Sequence, residues 1–364
     1  MESLKNILFD LIRIPSESNN LKALKEIVDY VENIFKYKPI FIERIEVNNK
    51  PSIYLSFEKN YNPSVLFSGH LDVVPPDSPE QFVPYEKDGK IYGRGSFDMK
   101  GSCASMIVLL LELIEKKIKK NIAFLFTTDE EVGSKDGVEY WVKNKNLLPD
   151  FAIIPDGGFN FKIMNEGKGV LHVKFKAFGK SAHGSTPWEG ENAADKLIDL
   201  YKEYKLWVDS EKGPPEEPTW KITLSLGKFN AGKAVNIVPS EAEMELDFRF
   251  PPPWRAKDFE NKLKEFLKDK KGIEMEVKSY GEPVYTDREN PYLKKFAESV
   301  KKIKGKVEYG RIYGATDGRF FAEKGVPVLM IYGIGDGIHG KEEWVDLKSL
   351  YDLKEIFLDF LNRI

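Results

Sequence analysis

Apolar side chains recur at three- and four-residue spacing over residues 4–12 and 21–35, the period that turns one face of a helix towards a core. Short apolar runs of β type follow at 52–57, 64–68, 122–127 and 151–155, with a further helical run at 104–117 between the second and third of them. Strand-type runs alternating with amphipathic helices predict an α/β sheet for the first half of the chain. The character changes after Asn165. Glu166, Gly167, Lys168 and Gly169 form a hinge, and beyond it lie a strand at 171–178, a helix at 192–207, strands at 220–226 and 241–250, a helix at 257–267 and a strand at 273–279. That order, βαββαβ, is the ferredoxin-like split unit, which closes as one small open-faced sandwich. A second hinge at Gly281 and Pro283 leads to a helix at 291–302, an apolar strand at 326–332 and a closing helix at 347–361. This last part needs a sheet to join, and the first half supplies one. The expected organisation is a discontinuous main domain, 1–165 with 282–364, interrupted by an inserted domain at 166–281.

Composition narrows the partners. With 364 residues, 41% of them hydrophobic, the chain can bury a large core and is long enough for two domains. A formal net charge of −3, from 55 Lys plus Arg against 58 Asp plus Glu, provides no global positive field to hold nucleic acid or an anionic membrane, which leaves a small molecule as the expected ligand. The first residues carry Glu2, Asp10 and Arg13 within an amphipathic pattern and lack the apolar core of a signal peptide, and the longest apolar stretch, near Met106 to Leu113, is too short to span a bilayer. A cytoplasmic location is the expectation. The single cysteine, Cys103, excludes an internal disulfide and a thiolate metal cage; it is expected to pack a helix face. Charged residues make up 31% of the chain, Lys and Glu dominate them, and Gln81 is the only glutamine, a bias that resembles hyperthermophile usage.

The four histidines are His70, His172, His183 and His339. The run 64–68 leads straight into Gly69, His70, Leu71 and Asp72, which places His70 and Asp72 on one face because strand side chains alternate. The run 326–332 leads into a glycine-rich loop that ends at His339. Acids follow the same rule: Asp129, Glu130 and Glu131 come after 122–127, Asp156 closes 151–155, and Asp98 ends the loop Gly93-Arg94-Gly95-Ser96-Phe97 before a helix. In open α/β sheets the carboxyl ends of the strands form the crevice where ligands bind. Taken singly, each of these residues has a plain reading: a turn residue, a solvated acid, or a helix cap for Asp98. Gathered on one edge, they make a set of two imidazoles and several carboxylates, which fits a pair of divalent cations better than one, because two cations need bridging and terminal carboxylates to neutralise their repulsion. Such a pair acidifies water and polarises a carbonyl, and a further carboxylate must carry the proton to the leaving amine. Adjacent Glu130 and Glu131 can divide these tasks, since neighbouring side chains face opposite ways. His172, alternating among apolar residues, reads as structural. Other chemistries fail: there is no H-E-x-x-H, no G-x-S-x-G, and Lys100 is followed by Gly101, not by Ser or Thr as a phosphate-binding loop requires.

The ordered set His70-Leu71-Asp72, Gly93-Arg94-Gly95-Ser96-Phe97-Asp98-Met99-Lys100-Gly101, Asp129-Glu130-Glu131-Val132-Gly133, Ser181-Ala182-His183-Gly184 and the late His339 resembles the M20 metallopeptidases, a family of carboxypeptidases, dipeptidases, aminoacylases, acetylornithine deacetylase and succinyl-diaminopimelate desuccinylase. The resemblance implies a mixed-sheet, di-zinc exopeptidase-like catalytic domain with the inserted ferredoxin-like unit as a lid and dimerisation domain. It implies two divalent metal ions, zinc with cobalt or manganese as substitutes, held by His70, Asp98, Glu131, Asp156 and His339, with Asp98 bridging. Asp72 would orient His70, and Glu130 would be the general base and acid. In the lid, His183 would reach the partner subunit's active site and stabilise the oxyanion, which implies a homodimer. Asn236 would contact substrate, and the segment Gly314-Ala315-Thr316-Asp317-Gly318-Arg319 would supply Gly314 and an Arg319 that grips the substrate carboxylate. Pro155-Asp156-Gly157 looks like the dipeptidase branch, whereas deacetylase and desuccinylase members place Glu where this chain has Asp156; Gly158-Phe159-Asn160 departs from the proline-containing dipeptidase pattern. The expected reaction is hydrolysis of an amide bond next to a free carboxylate in a dipeptide or a short C-terminal peptide. The alternatives are an N-acyl-amino-acid deacylase of the acetylornithine deacetylase or succinyl-diaminopimelate desuccinylase type, and a non-catalytic binding protein that keeps the fold.

Overall fold

The structure, a computed structural model, describes residues 3–364. The chain forms two compact units: one holds the residues up to Asn165 with Tyr285–Ile312 and Thr316–Ile364, the other Glu166–Val284 with Tyr313–Ala315.

The first unit is built on a mixed sheet. Its strands run in the order Phe41–Val47, Lys50–Ser56, Ile122–Thr127, Val65–His70, Phe151–Ile154, Val328–Met330, Ile163–Gly167 and Val284–Tyr285, with Tyr309–Ile312 beside Ile163–Gly167. The four at the centre, Ile122–Thr127, Val65–His70, Phe151–Ile154 and Val328–Met330, are mutually parallel. Every residue of these four strands is buried, which is why they read in sequence as unbroken apolar runs and not as alternating ones. Because they are parallel and adjacent, the loops that follow them open on the same edge. The helix Lys100–Glu115 is apolar nearly all round and buried without interruption from Lys100 to Leu110, as befits a helix enclosed by protein. It packs between the helices Leu4–Arg13 and Leu347–Arg363, and the helix Pro291–Lys304 packs on Leu347–Arg363. A small sheet, in the order Gly335–Asp336, Trp344–Asp346, Lys90–Tyr92 and Tyr85–Lys87, joins the loop carrying His339 to the segment just before Asp98. Its strands of two or three residues are too short to show a period, and the sequence pattern missed them.

The second unit is a four-stranded antiparallel sheet in the order Thr223–Ala231, Glu241–Phe250, Gly169–Phe178 and Ile273–Gly281. With the helices Ala193–Ser210 and Ala256–Glu265 the chain order is βαββαβ, the ferredoxin-like arrangement. Leu171, Val173, Phe175 and Ala177 alternate inward against Met244, Leu246, Phe248 and Phe250. The opposite face is polar: His172 Nδ1 lies 2.8 Å from Ser279 Oγ and Nε2 lies 3.6 Å from Asp247 Oδ1. Among the described residues no helix is long and apolar enough to cross a membrane.

Candidate metal centre

His70 is the last residue of the strand Val65–His70 and is 1% exposed. Its Nε2 stands 3.3 Å from Asp98 Oδ1, while the other carboxylate oxygen, Oδ2, stands 3.3 Å from His339 Nε2. Asp98 therefore lies between the two imidazoles with one oxygen towards each. His339 Nε2 is also 3.3 Å from Glu131 Oε1, and the Tyr332 hydroxyl lies 2.8 Å from Asp98 Oδ1 and 2.7 Å from Asp156 Oδ1. Ligating atoms of His70, Asp98 and Glu131 all fall within 4.8 Å of one another, and so do those of His70, Glu130 and Asp156. The first unit thus gathers His70, Asp98, Glu130, Glu131, Asp156 and His339 around one spot, from residues spread over most of the chain.

The electrostatics follow from packing acids together away from water. Burial raises Glu130 well above the ordinary carboxylate range, and it raises Glu131 as well. Burial and then the charge of Asp98 push Asp156 up to about 7. Burial would pull the His70 imidazolium down, but hydrogen bonds to Asp72 and Asp98 outweigh it and hold the ring well above its usual value. The hydrogen bond to Asp98 lifts His339 to about 9. Buried carboxyl groups that resist ionising are groups short of a counter-charge. The donor set, imidazole nitrogen plus carboxylate oxygen converging within 4.8 Å, fits divalent cations of the zinc, cobalt and manganese type.

A frame holds this set, and the sequence reading found only part of it. The Asp72 carboxylate accepts from Ser18 Oγ at 2.8 Å and from the amides of Glu130 and Glu131 at 3.2 Å each. His70 Nδ1 lies 3.0 Å from the Asp72 main-chain carbonyl and 3.5 Å from its carboxylate, so Asp72 faces the imidazole and also shapes the neighbouring acid turn. Glu343, unmarked in the sequence, is buried and accepts four donors: Phe97 N at 2.9 Å, Asp98 N at 3.0 Å, Gly95 N at 2.9 Å and Arg94 Nη1 at 3.0 Å. It fixes the loop that presents Asp98. Arg94 Nη2 also donates to the His339 carbonyl, at 3.2 Å, tying the Asp98 and His339 loops together. Lys100 is buried and donates to the carbonyls of Leu11 and Ile14 at 2.9 and 3.0 Å, a structural strut and no phosphate ligand. At Gly101 a Cβ would overlap the Ser96 carbonyl oxygen, so the helix can begin this close to the loop only with glycine there. Cys103 Sγ donates to the His70 carbonyl at 3.2 Å, and burial pushes the thiol up to about 12, which makes it a packing residue beside the centre.

The remaining expected site residues fall elsewhere. His183 is exposed in the second unit, with Nδ1 2.7 Å from Ser185 Oγ, and the Asn236 carbonyl accepts from Gly184 N at 2.8 Å, so the two loops are joined. Gly314 belongs to the short segment that packs with the second unit. Arg319, in the first unit, donates from Nη1 to the Thr316 carbonyl at 3.1 Å and from Nη2 to the Gly133 carbonyl at 2.9 Å.

Two imidazoles and a set of convergent carboxylates, presented at the carboxyl ends of neighbouring parallel strands, define a metal-dependent hydrolase. The chain belongs to peptidase family M20/M25/M40, whose profile matches residues 66–363. It is 28% identical to an uncharacterized metallohydrolase of Methanocaldococcus jannaschii, over 97% of each chain. It is 29% identical to the succinyl-diaminopimelate desuccinylase of Wolinella succinogenes, over 92% of this chain and 93% of that one. Among solved structures, the M20 family metallo-carboxypeptidase of Sulfolobus solfataricus superposes with a TM-score of 0.76 at 22% identity, covering 99% of each chain. The aminopeptidase PepT of Bacillus cereus does so with 0.78 at 20% identity, covering 98% of this chain and 97% of that one. These two establish the shared fold.

Proposed function

We propose that this hydrolase cleaves an amide bond next to a free carboxylate, in a dipeptide or at the C-terminus of a short peptide. The observation that carries the proposal is Asp98, whose two oxygens face two different imidazoles at 3.3 Å, the placement of a carboxylate shared by two cations. In this reading His70, Asp98 and Asp156 would hold one cation and Asp98, Glu131 and His339 the other, with zinc as the metal. When bound, the cations supply Lewis acidity to the carbonyl under attack and lower the pKa of water. Glu130 takes the proton of the attacking water and returns it to the leaving amine; its half-buried place beside His70 and Asp156, in a turn pinned by Asp72, suits it to both. His183, with Asn236 and Gly314, contacts the substrate, His183 acting in the partner subunit of a homodimer formed through the second unit. The edge strand Thr223–Ala231, with Leu226 and Phe229 exposed, and the exposed Val235 and Ile237 support that pairing surface. A cytoplasmic, thermophilic setting is part of the same reading, and linked ion pairs such as Lys302–Asp359–Arg363–Glu298 support its thermophilic part.

A second reading, hydrolysis of N-acyl amino acids, is favoured by the desuccinylase relative. A metal-supplemented screen of dipeptides against N-acetyl and N-succinyl amino acids, with products identified by mass, separates the two. In the same screen Glu130→Gln should lose about 10²–10⁴-fold in rate with two metals per chain retained. A variant as fast as the parent would remove Glu130 from the reaction, and inert parent protein would leave the non-catalytic reading standing.

A further inference from the structure

The turn that carries Glu130 and Glu131 is short and held from outside at both ends. Within it, the Asp129 carbonyl accepts from Val132 N and Ser134 N, and the Glu130 carbonyl accepts from Gly133 N. Gly133 and Ser134 both have positive φ, 107° and 60°, which turns the Gly133 carbonyl out of the turn's own bonding. The amides of Glu130 and Glu131 go to the Asp72 carboxylate at 3.2 Å each, and the outward Gly133 carbonyl goes to Arg319 Nη2 at 2.9 Å, with Ser134 Oγ 3.4 Å from the same nitrogen. An acid thus holds the N–H side of the turn and a guanidinium the C=O side.

Arg319 is itself fixed. Its Nη1 donates to the Thr316 carbonyl at 3.1 Å, and its guanidinium carbon lies 4.5 Å from the centre of the Phe320 ring. Both terminal nitrogens therefore already donate to main-chain oxygens, one of them in the acid turn. Each of those nitrogens keeps a second N–H, but the two bonds already fix where the guanidinium plane points. We propose that Arg319 is a positioning residue for the Glu130 turn, acting through the Gly133 carbonyl and not by gripping the substrate carboxylate. This rests on the assignment of Glu130 as the proton carrier.

The test uses the full-length, metal-loaded enzyme, the substrate found by the screen above, and that substrate's C-terminal carboxamide, which has no carboxylate to grip. Arg319→Ala should lower kcat about 10–100-fold, the usual cost of removing a group that orients a reacting one, equally for acid and amide. KM should stay within about twofold and metal content unchanged, and added methylguanidine should restore part of kcat. Arg319→Lys, which retains a donor and guards against misfolding of the alanine variant, should keep an intermediate kcat. A rise in KM of about tenfold or more for the acid alone overturns the proposal in favour of a carboxylate grip, and so does an unchanged kcat in the alanine variant. Glu130→Gln is run alongside. If that variant keeps full rate, the Glu130 assignment itself has failed; if it is inactive while Arg319→Ala keeps its rate, only the positioning role has.

Discussion

Replacing Glu343 probes how the Asp98 loop is held. One oxygen accepts from Phe97 N and Asp98 N, the other from Gly95 N and Arg94 Nη1, all between 2.9 and 3.0 Å. The side chains of Arg94 and Glu343 are only 2% and 1% exposed. Glutamine keeps the volume but turns one acceptor into an NH₂ that faces two donors, and leaves the Arg94 charge buried without a counter-ion. Burial itself raises Glu343 despite its four donors, so the pair is not a net source of stability; the cost arises from removing one half of it. Breaking a buried pair this way costs about 3–5 kcal/mol. At roughly 2–4 °C per kcal/mol for a domain of this size, the metal-free protein should melt about 6–20 °C lower. Because Arg94 also donates to the His339 carbonyl, metal affinity should fall about 10–100-fold alongside. Scanning calorimetry of the metal-free Glu343→Gln protein, with a zinc titration, measures both. A melting temperature within about 2 °C of the parent's would refute the reasoning, since it would mean the amides and the guanidinium find other partners.

Tyr332→Phe removes the hydroxyl shared by Asp98 and Asp156 and should weaken metal binding about 10-fold or more at unchanged fold; equal affinity by isothermal titration would show that the hydroxyl has no part in arranging the two acids. In the second unit, burial pushes Asp247 up, but the His172 ring 3.6 Å away and the hydrogen-bonded Arg249 guanidinium outweigh it and hold the carboxyl at about 2. Its folded pKa thus lies below the unfolded value of about 3.9, so its contribution is complete above that pH and is lost as pH falls through 2. Asp247→Asn should flatten the acid limb of the stability curve between about pH 4 and 2, measured by denaturant unfolding; parallel curves for parent and variant would refute it.

The parts of the centre that follow strands were legible in sequence because each central strand is buried on both faces and ends abruptly in a polar residue: Val65–His70 in its own histidine, Ile122–Thr127 in the acid turn, Phe151–Ile154 in Asp156. Partners that act from loops were not. Glu343 follows Lys341 and Glu342 and reads as one more solvated charge; it is buried because three amides of the Gly95 to Asp98 segment have no other acceptor. The only signal was Arg94, a cation inside a glycine-rich loop that needs a counter-ion. Tyr332 was placed at the end of the predicted run 326–332, but the strand stops at Met330, and the two residues beyond it bring the hydroxyl to the metal-facing acids. Ser18 lies 54 residues from Asp72, and no local pattern marks that contact.

The acids of the centre divide into two kinds, and the division explains why so many can share one edge of a sheet. Asp72, Asp129 and Glu343 each accept from main-chain amides: Asp72 from Glu130 and Glu131, Asp129 from Asp136 and Gly137, Glu343 from Gly95, Phe97 and Asp98. Their work is to shape loops. Asp98, Glu130, Glu131 and Asp156 accept from no main-chain amide among the described residues; the partners of Asp98, Glu131 and Asp156 are the two imidazoles and the Tyr332 hydroxyl. In the reading proposed above, Asp98, Glu131 and Asp156 with the two imidazoles would hold the cations, and Glu130 would be left to carry the proton. Acids of the first kind direct their lone pairs to the backbone, which leaves those of the second kind for metal and, at Glu130, for the proton in that reading.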